Sequence, residues 1–456
     1  MNLRARLHRH GGLDGVRLAD RTASHAVAEL VKAPADREMA QRLAGRSILL
    51  ATEGQMAAAK AMLVLDGLAR RMLLLPPGIA PEQLPAIVRD AEIDLLVTDR
   101  DGPLRETLPD LPCITVQAAS GAAPAAAPLA TEWVLATSGT SGAPKLVLHT
   151  LEGLVGGINT AATPEPGTVW STFYDIRRYG GLQVFLRAML GPASLLLSEA
   201  GEPVSDYLRR VAAAPVTHLL GTPSHWRMAL MSSAIGALSP RYVRLSGEIA
   251  DQAILDALRA AFPRARIAHA YASTEGGVGF TVEDGREGFP AGLIGSRAGI
   301  EIAIRGGTLH IRSQRTARRY LGSEAGPLMD PDGFVDSGDR VALRGDRCHF
   351  LGRSSGMINV GGVKVQPEEV ETVINRHPSV SMARVKPRPN PILGAVVEAE
   401  ILLHDGQEAV ADPAALKAAI IAHCRAHLDR HKVPVSLSFV TDLPLTPGGK
   451  LLRTPS

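Results

Sequence analysis

The sequence predicts an α/β protein with a large N-terminal domain built on parallel sheets and a small α+β domain at the C terminus. Short apolar runs alternate with helix-length runs in the first part of the chain, an order typical of parallel sheets. With 456 residues, the chain is too long for one ordinary core. Short alternating segments with Gly/Asp turns between residues 280 and 350 predict a small antiparallel β subdomain.

The first elements follow from the apolar pattern. Residues 47–51 and 71–75 are predicted as buried strands, separated by an Ala/Leu/Met-rich helix over residues 55–70. A second helix over residues 81–91 leads to a third strand over residues 93–98. Strands that alternate with helices of this length indicate a parallel sheet.

Later segments continue the pattern. Residues 24–32 have helical spacing, and residues 118–130 form an Ala/Pro/Gly tract predicted as a flexible connector. Strands that end in loops are predicted over residues 216–221, 242–246 and 266–270. The remaining predicted elements are a helix at 226–231, a strand over 358–365 interrupted by two glycines, a helix starting at 366, strands at 381–385 and 395–402, and a helix over 412–427.

Composition and charge narrow the function classes. The formal net charge is only +3 and the charges are interspersed, so no nucleic acid and no acidic membrane surface is expected as a partner. We find no apolar run long enough to span a bilayer and no secretory signal in residues 1–20. The three cysteines lack metal-binding spacing, so neither disulfides nor zinc is indicated and a cytoplasmic location is expected.

One stretch, Thr137-Ser-Gly-Thr-Ser-Gly-Ala-Pro-Lys145, combines hydroxyl side chains, glycines and a lysine. Glycines allow close backbone approach, amides and hydroxyls donate hydrogen bonds, and the lysine adds charge, so the stretch suits a loop around phosphate oxygens. A strand over residues 133–136 precedes it, and residues 147–150 lead to a helix beginning near Leu151. The common P-loop is excluded because Gly-Lys-Ser/Thr is absent. Taken alone, the stretch could equally be a polar surface loop.

Four further motifs follow this loop along the chain. They are Tyr271-Ala-Ser-Thr-Glu275, Asp336-Ser-Gly-Asp339, Gly352-Arg353 leading to Val360-Gly-Gly-Val-Lys-Val365, and Pro444-Leu-Thr-Pro-Gly-Gly-Lys450. In this order, the five motifs resemble those of the adenylate-forming superfamily, which comprises acyl- and aryl-CoA synthetases, peptide-synthetase adenylation domains and luciferases. The pattern is most similar to that of acyl-CoA synthetases and spans about residue 45 to the C terminus.

The resemblance implies a site for ATP and Mg²⁺. In the family the first loop holds the β- and γ-phosphates, and a later segment lies against the adenine. The residues that this assigns here are Thr137, Ser138, Gly139, Thr140, Ser141, Gly142 and Lys145 for the phosphates, and Ser246 and Gly247 for the adenine.

The later motifs imply the rest of the nucleotide site. Tyr271 would offer an aromatic face to the adenine, Thr274 a hydroxyl to the α-phosphate, and Glu275 a carboxylate to Mg²⁺. Asp339 would accept both ribose hydroxyls, because a carboxylate has lone pairs on two oxygens and no donor. Arg353 would also bind the ribose. The alternatives are a strand-end turn for the first motif and an ordinary turn aspartate for the second.

The carboxylate pocket is assigned by position only, since the family's usual Pro-x-x-His pattern is absent. Its candidates are Tyr179, Gly180, Gly181, Gly221, Thr222 and Ala270. Arg177 and Arg178 could meet a second anionic group on the substrate. We favour a solvated or phosphate-steering pair, because exposed arginines are common.

The last motif implies that Lys450 is catalytic and contacts the substrate carboxylate and the α-phosphate; a mobile surface lysine is the alternative. Gly361 and Gly362 would leave room for the pantetheine arm of coenzyme A, and a simple bulge is the alternative. The predicted domains are residues 1–353 and 356–456, with a hinge near residues 354–355.

The resemblance therefore predicts a two-step ligase. A carboxylic acid reacts with MgATP to give an acyl-adenylate, and a thiol, most simply that of coenzyme A, then takes the acyl group. The alternatives are loading of an acyl carrier protein or an amine, a sensor that binds acyl-adenylate without turnover, and a phosphotransferase. The sequence does not identify the acid, and a homodimer is the assembly expected from the frequency of dimers.

Overall fold

The computed structural model describes residues 1–32, 36–100, 102–122, 128–137, 144–159, 165–322, 326–404 and 412–452. Within these ranges the strands form four sheets, of which two are mainly parallel and two mainly antiparallel. The α/β class is confirmed, because parallel sheets covered by helices make up the first part of the chain.

The first sheet has seven strands. Its five strands from Glu132–Thr137 to Cys113–Thr115 are parallel, and the central ones are buried on both faces, which is why they appear as continuous apolar runs; Lys145–Thr150 is antiparallel to both of its neighbours. In sheet order its strands are Arg319–Leu321, Lys145–Thr150, Glu132–Thr137, Arg71–Leu74, Ser47–Ala51, Leu95–Thr98 and Cys113–Thr115.

The second sheet has eight strands and is parallel except at its two edges. The carboxyl ends of its central strands meet at one edge, where loops can bring side chains together. In sheet order its strands are Gly277–Val282, Arg266–Ser273, Tyr242–Ser246, His218–Gly221, Val169–Thr172, Ser194–Leu196, Arg17–Ala19 and Ser24–Ala26.

The third and fourth sheets are smaller. The third confirms the predicted antiparallel β subdomain, and its strands are Phe289–Pro290, Arg347–Arg353, Val335–Arg344, Thr308–Ser313, Ile300–Arg305 and Gly295–Arg297. The fourth lies in the C-terminal part, and its strands are Val363–Val365, Ile358–Val360, Gly394–Leu403, Val380–Asn390 and Ser436–Val440.

The helices cover the sheets, and those at Gln55–Leu65, Leu84–Asp90, Leu151–Val155, Pro223–Met231, Pro367–Ile374 and Pro413–His427 lie near their predicted positions, whereas several others were not predicted. Their bounds are Leu3–His10, Val27–Lys32, Arg37–Leu43, Gln55–Leu65, Leu84–Asp90, Pro103–Thr107, Val116–Ser120, Leu151–Val155, Tyr179–Leu190, Val204–Ala213, Pro223–Met231, Gln252–Ala261, Pro367–Ile374 and Pro413–His427. Short 3₁₀ turns cover Pro81–Gln83, Ser233–Ala237, Ala291–Leu293, Ser354–Gly356 and Arg430–Lys432. Across the described ranges, no helix combines the length and the apolar character needed to cross a membrane.

Three predicted elements differ from the structure. Residues 24–32 are not one helix, because Ser24–Ala26 pairs with Arg17–Ala19 as an edge strand before the helix begins at Val27. The tract over 118–130 includes the end of the helix Val116–Ser120. Residues 358–365 are not one interrupted strand. They form a hairpin in which Gly361 and Gly362 take φ of 57° and 89°, the two left-handed positions of a tight turn.

Candidate active site

Lys450 lies in a tight turn near the C terminus. Leu445 and Leu451 pair across the turn, Thr446 N donates to Lys450 O at 2.7 Å, and Gly449 N donates to Thr446 O at 2.8 Å. Gly449 has a φ of 70°, which favours glycine because a side chain at this φ is strained. The geometry of this turn, residues 445–451, is therefore fixed by its own backbone; we call it the lysine turn.

The lysine turn is bound to the end of the second sheet. Thr222 Oγ1 donates to Gly449 O at 2.6 Å, and Leu451 N donates to Glu248 Oε1 at 2.8 Å. The same carboxylate accepts from the amide and the hydroxyl of Ser224, both at 3.0 Å. Glu248 therefore joins a helix N-terminus of the large domain to the backbone of the C-terminal part. The sequence gives no role to Glu248, because its partner lies 203 residues away.

The Lys450 side chain lies over Gly247. A Cβ placed on Gly247 would be 3.4 Å from Lys450 Cε. The side chain keeps contact with solvent, while desolvation by the surrounding protein lowers the pKa of its ammonium. The charges of Glu248, Arg353, Asp339 and Glu275 also act on this pKa. Lys450 thus lies in one cleft with Glu275, Asp339 and Arg353, which belong to three separate sequence motifs.

Tyr271, Asp339 and Arg353 form one hydrogen-bonded group beside this cleft. Tyr271 Oη donates to Asp339 Oδ2 at 2.6 Å, and Arg353 Nε lies 3.5 Å from Asp339 Oδ1. Asp339 and Arg353 face each other across paired strands. Burial and the neighbouring carboxylate raise the pKa of Tyr271 well above its usual value, so its hydroxyl stays a donor.

The Tyr271 ring is itself held by aromatic neighbours. It stacks with Phe350 at a centroid distance of 5.2 Å and an interplanar angle of 9°. Phe280, its partner on the adjacent strand, stacks at 5.6 Å. In this structure Tyr271 therefore orients the Asp339 carboxylate, a role that the sequence does not reveal.

Tyr320 lies close both to Lys145, at the end of the predicted phosphate loop, and to Glu275, the candidate metal ligand. Lys145 Nζ lies 5.0 Å from the centroid of the Tyr320 ring, and Tyr320 Oη donates to Glu275 Oε1 at 3.5 Å. Burial and Glu275 raise the pKa of Tyr320 to about 12. Tyr320 comes close because its strand pairs with Lys145–Thr150, opposite Val147. Thr274 directly precedes Glu275, at the end of the strand Arg266–Ser273.

Of the residues assigned to phosphate binding, Thr137 and Lys145 are described. They are register partners across the two strands, and Thr137 Oγ1 lies 3.5 Å from Lys145 O. Ser138, Gly139, Thr140, Ser141 and Gly142 lie outside the described residues.

Part of the predicted acid pocket gathers around Ser246. Tyr174 Oη donates to Ser246 O at 2.8 Å, and a Cβ on Gly180 would lie 3.6 Å from the Tyr174 ring. Ala270 is the register partner of Ser246 on the adjacent strand. Tyr174 was not predicted, although its position in an aromatic segment before two glycines was a usable signal.

Other predicted pocket residues have different surroundings. Tyr179 is buried in the core, with its ring centroid 5.7 Å from that of His149. A Cβ on Gly181 would lie 2.2 Å from Asp175 O, and one on Gly221 would lie 2.7 Å from Phe173. Gly181 and Gly221 therefore allow close packing where a side chain would clash. Thr222 binds the lysine turn through its hydroxyl.

The prediction of a solvated arginine pair is wrong for Arg177. This side chain is fully buried and binds Asp175 through two hydrogen bonds, from Nε at 2.9 Å and from Nη2 at 2.6 Å. It also donates to the carbonyl of Thr52. Arg178 Nη2 donates to Pro77 O at 2.7 Å. Arg177 is thus committed to a structural ion pair.

Gly361 and Gly362 are not brought to Lys450 in this structure. Their hairpin is exposed, and Gly361 N donates to Leu393 O at 2.9 Å within the same sheet. The C-terminal part instead contacts the large domain at a buried ion pair of that domain, in which Arg227 Nη2 lies 2.6 Å from Asp251 Oδ2. Arg227 also donates to Ser381 O at 2.8 Å, and Asn375 Nδ2 donates to Asp251 at 3.2 Å.

Comparison with known proteins identifies the family of the chain. The family model described as AMP-binding enzyme matches residues 69–321, more than half of the chain, and the model described as AMP-binding enzyme C-terminal domain matches residues 369–450. The mitochondrial acyl-coenzyme A synthetase ACSM5 of Mus musculus is 25% identical over 414 residues, 83% of this chain and 69% of that protein. Surfactin synthase subunit 1 of Bacillus subtilis (strain 168) is 25% identical over 83% of this chain but only 12% of its own length.

Solved structures show the same fold at low identity. The anthranilate CoA ligase AuaEII in complex with anthranoyl-AMP matches with a TM-score of 0.82 and 19% identity, over 99% of this chain and 95% of that one. ATP-bound MatB from Rhodopseudomonas palustris matches with a TM-score of 0.78 and 21% identity, over 99% and 97%. The amide bond synthetase McbA from Marinactinospora thermotolerans gives 0.78 and 20%, over 98% of each chain.

Proposed function

The chain belongs to the AMP-binding enzyme family, and from this premise we propose that it is an acid–thiol ligase that forms an acyl-adenylate and passes the acyl group to coenzyme A. The observation that carries the proposal is the position of Lys450. Its ammonium lies over Gly247 in a cleft where the charges of Glu275, Asp339 and Arg353 act on it. A lysine there can neutralise negative charge that develops on a reacting phosphate.

In the proposed first step, a carboxylate oxygen attacks the α-phosphorus of ATP. The bond between this phosphorus and the pyrophosphate oxygen breaks, so that acyl-adenylate and pyrophosphate form. Lys450 would stabilise the entering oxygen and the pentavalent phosphorus, while Lys145 holds the outer phosphates. Asp339 and Arg353 would bind the ribose.

Glu275 is the residue that would hold Mg²⁺. Its carboxylate accepts one long hydrogen bond, from Tyr320, and the described residues contain no group of three His, Cys, Asp or Glu side chains that could hold a metal by themselves. One carboxylate fits a magnesium ion whose other ligands are substrate phosphates and water. The bound ion would supply positive charge against the phosphate oxygens.

In the proposed second step, the thiol sulfur of coenzyme A attacks the carbonyl carbon of the adenylate. The bond to the phosphate oxygen breaks, AMP leaves, and the thiol loses its proton. The C-terminal domain, residues 356–456, would first rotate at the hinge near residues 354–355. This rotation would withdraw Lys450 and turn the Gly361–Gly362 hairpin towards the cleft. Small residues at such a hinge absorb the change in backbone angles.

The test is release of pyrophosphate from MgATP by the purified protein, measured across a panel of carboxylic acids with and without coenzyme A. Release that needs an acid and yields AMP supports adenylation, and faster turnover with coenzyme A supports the thiol acceptor. Turnover only with an acyl carrier protein or an amine would mean that this molecule, and not coenzyme A, is the acceptor. Release of ADP, or no release with any acid, would contradict the proposal and favour a phosphotransferase or a sensor.

Replacing Asp339 with asparagine should raise the KM for ATP about 10-fold or more, with a smaller change in kcat. The amide has one acceptor oxygen instead of two, so one charge-assisted hydrogen bond to the ribose is lost. Steady-state kinetics with varied ATP measure the effect. Asp346→Asn is the control, because this aspartate of the same sheet region is 82% exposed. Equal KM values for both variants would remove Asp339 from the ribose site.

The adenylation rate should fall as the pH rises through the pKa of Lys450. Only the charged ammonium can stabilise the reacting phosphate, and the surrounding protein lowers this pKa below lysine's usual 10.5. The loss therefore begins at lower pH than for an exposed lysine. The pH profile of pyrophosphate release measures it, and Lys450→Arg, which stays charged, should lack this alkaline limb. An unchanged limb in that variant would assign it to another group.

A further inference from the structure

Two arginines lie between the helix Tyr179–Leu190 and the second sheet. Arg187 belongs to this helix, and Arg244 belongs to the strand Tyr242–Ser246. Arg244 and Ser246 are on the same face of the strand, because side chains two residues apart share a face. Their register partners on the next strand are the small residues Ala268 and Ala270. Arg244 is thus on the same strand face as Ser246, whose carbonyl accepts from Tyr174 Oη.

These arginines lack a negatively charged partner in the described part of the chain. Arg244 Nε is buried without a hydrogen-bond partner there. Burial lowers the pKa of Arg187 to about 10, and the next largest influence is the positive charge of Arg244, with Arg315 acting in the same direction. Tyr242 and Tyr179 oppose the shift, and no carboxylate is among the named influences.

Four arginines whose side chains are almost fully buried have a carboxylate partner. Each has a carboxylate within 2.7 Å: Arg71 pairs with Glu132, Arg177 with Asp175, Arg227 with Asp251 and Arg347 with Asp284. Arg187 and Arg244 are half-buried, and even a partly buried charge without a counter-ion is costly; here the charge of Arg244 also acts unfavourably on that of Arg187. An anion supplied from outside the chain would relieve both costs.

We propose that Arg187 and Arg244 bind a second anionic group of the carboxylic acid substrate, at the end opposite the reacting carboxylate. The inference rests on the proposed function and names its substrate class. Lys450 lies over Gly247, three residues after Arg244, so at a rise of about 3.3 Å per strand residue the two backbone positions are at most about 10 Å apart. A straight-chain dicarboxylate of medium length spans this distance, and its apolar middle would pass Tyr174 and Ala270.

The experiment compares matched acids in the pyrophosphate assay: adipate and suberate against hexanoate and octanoate. The wild-type protein should favour a diacid over the monoacid of equal length by about 100-fold in kcat/KM, because a site with unpaired polar groups rejects a ligand that cannot satisfy them. Arg244→Met and Arg187→Met should each lower kcat/KM for the diacid about 100-fold and leave the monoacid unchanged or improved. Arg244→Lys should fall between them and the wild type.

Arg266→Met is the matched control. This arginine is on the adjacent strand, packs over the Tyr242 ring and is 63% exposed, so its loss should not change the ratio between diacids and monoacids. Thermal unfolding checks that each variant is folded, and binding of suberate to the protein with a non-hydrolysable ATP analogue gives a readout besides turnover. Suberate binding that Arg244→Met abolishes is expected even if no acid supports turnover.

The outcomes separate the two proposals. Turnover with monoacids and diacids alike, with no change of ratio in Arg244→Met, would overturn the anion site while the ligase function stands. Absence of turnover together with loss of suberate binding in Arg244→Met would contradict the ligase function and keep the anion site. Absence of both turnover and suberate binding would overturn both.

Discussion

Replacement of Lys450 by alanine is expected to lower acyl-adenylate formation at least about 1000-fold while leaving thioester formation from supplied acyl-adenylate largely intact. The ammonium lies over Gly247 and is the only part of the lysine turn that can place positive charge beside the reacting phosphate there. Loss of a preorganised charge beside the reacting phosphate removes several kcal/mol of transition-state stabilisation. The second step would use the rotated domain, from which Lys450 has been withdrawn.

The two steps can be measured separately. Pyrophosphate release reports the first step, and the reaction of chemically prepared acyl-adenylate with coenzyme A reports the second. Lys417→Ala is the control, because this lysine of the helix Pro413–His427 packs over the Phe439 ring, away from the lysine turn. An equal loss in both steps would contradict domain alternation and indicate a damaged fold or a shared role for Lys450.

Local patterns carried much of the fold. Strands buried on both faces appear in the sequence as apolar runs, so most parallel strands of the first two sheets were predicted within a few residues. The short strands Arg17–Ala19, Cys113–Thr115, Val169–Thr172 and Ser194–Leu196 were not predicted. The hairpin at Gly361–Gly362 was predicted as a single strand. Two consecutive glycines are also a turn signal, and the positive φ at both positions would have favoured that interpretation.

Site residues could be predicted where they belong to a sequence motif. They could not be predicted where their role depends on contact with a residue far away in the sequence. The contact of Glu248 with Leu451 and that of Tyr320 with Lys145 join segments separated by most of a domain, and nothing local marks them. The roles of Lys450, Glu275 and Asp339 stay predictions until the variants are measured. So do the domain boundary, the cytoplasmic location and the homodimer.

The arginines show that a charged residue in the sequence does not by itself indicate whether its side chain is free to bind a ligand. Arg177 and Arg178 looked like free cations, but Asp175, two residues earlier, neutralises Arg177. Arg187 and Arg244 lie in apolar segments that read as ordinary core elements. The fold places these two arginines near each other, and no carboxylate pairs with them in the described part of the chain. The partner of Arg177 is local in the sequence, whereas the absence of a partner for Arg187 and Arg244 is a property of the packing that no local pattern shows.

Replacing Gly449 with alanine should lower acyl-adenylate formation about 100-fold or more, although no reacting group is removed. A Cβ at this position would lie 1.7 Å from His225 Cε1 and 2.0 Å from Nε2. The φ of 70° adds strain for any residue with a side chain. The lysine turn would have to leave Thr222, and Lys450 would move with it. Overpacking and a left-handed alanine together cost about 2–5 kcal/mol.

His225 cannot easily yield to the added methyl group. Its ring stacks on Phe173 at 5.0 Å with an angle of 15°, and its Nδ1 lies 3.2 Å from the donating amide of Thr222. Gly448→Ala is the matched control, since a Cβ there would meet its nearest atoms at ordinary distances of 3.7 Å and more. A double variant with His225→Ala should recover part of the lost rate, because the clash is relieved while the strain at φ remains.

The thioester step provides the decisive comparison for Gly449→Ala. If the lysine turn acts only in adenylation, this variant should convert supplied acyl-adenylate at close to the wild-type rate, as Lys450→Ala should. Wild-type adenylation in Gly449→Ala would mean that the lysine turn is not held against His225 when the reaction occurs. Gly449 and Lys450 are adjacent but contribute differently, Gly449 because it has no side chain to clash with His225 and Lys450 through its charge. Matching defects in the two variants would therefore show that adenylation takes place with the lysine turn in this docked position.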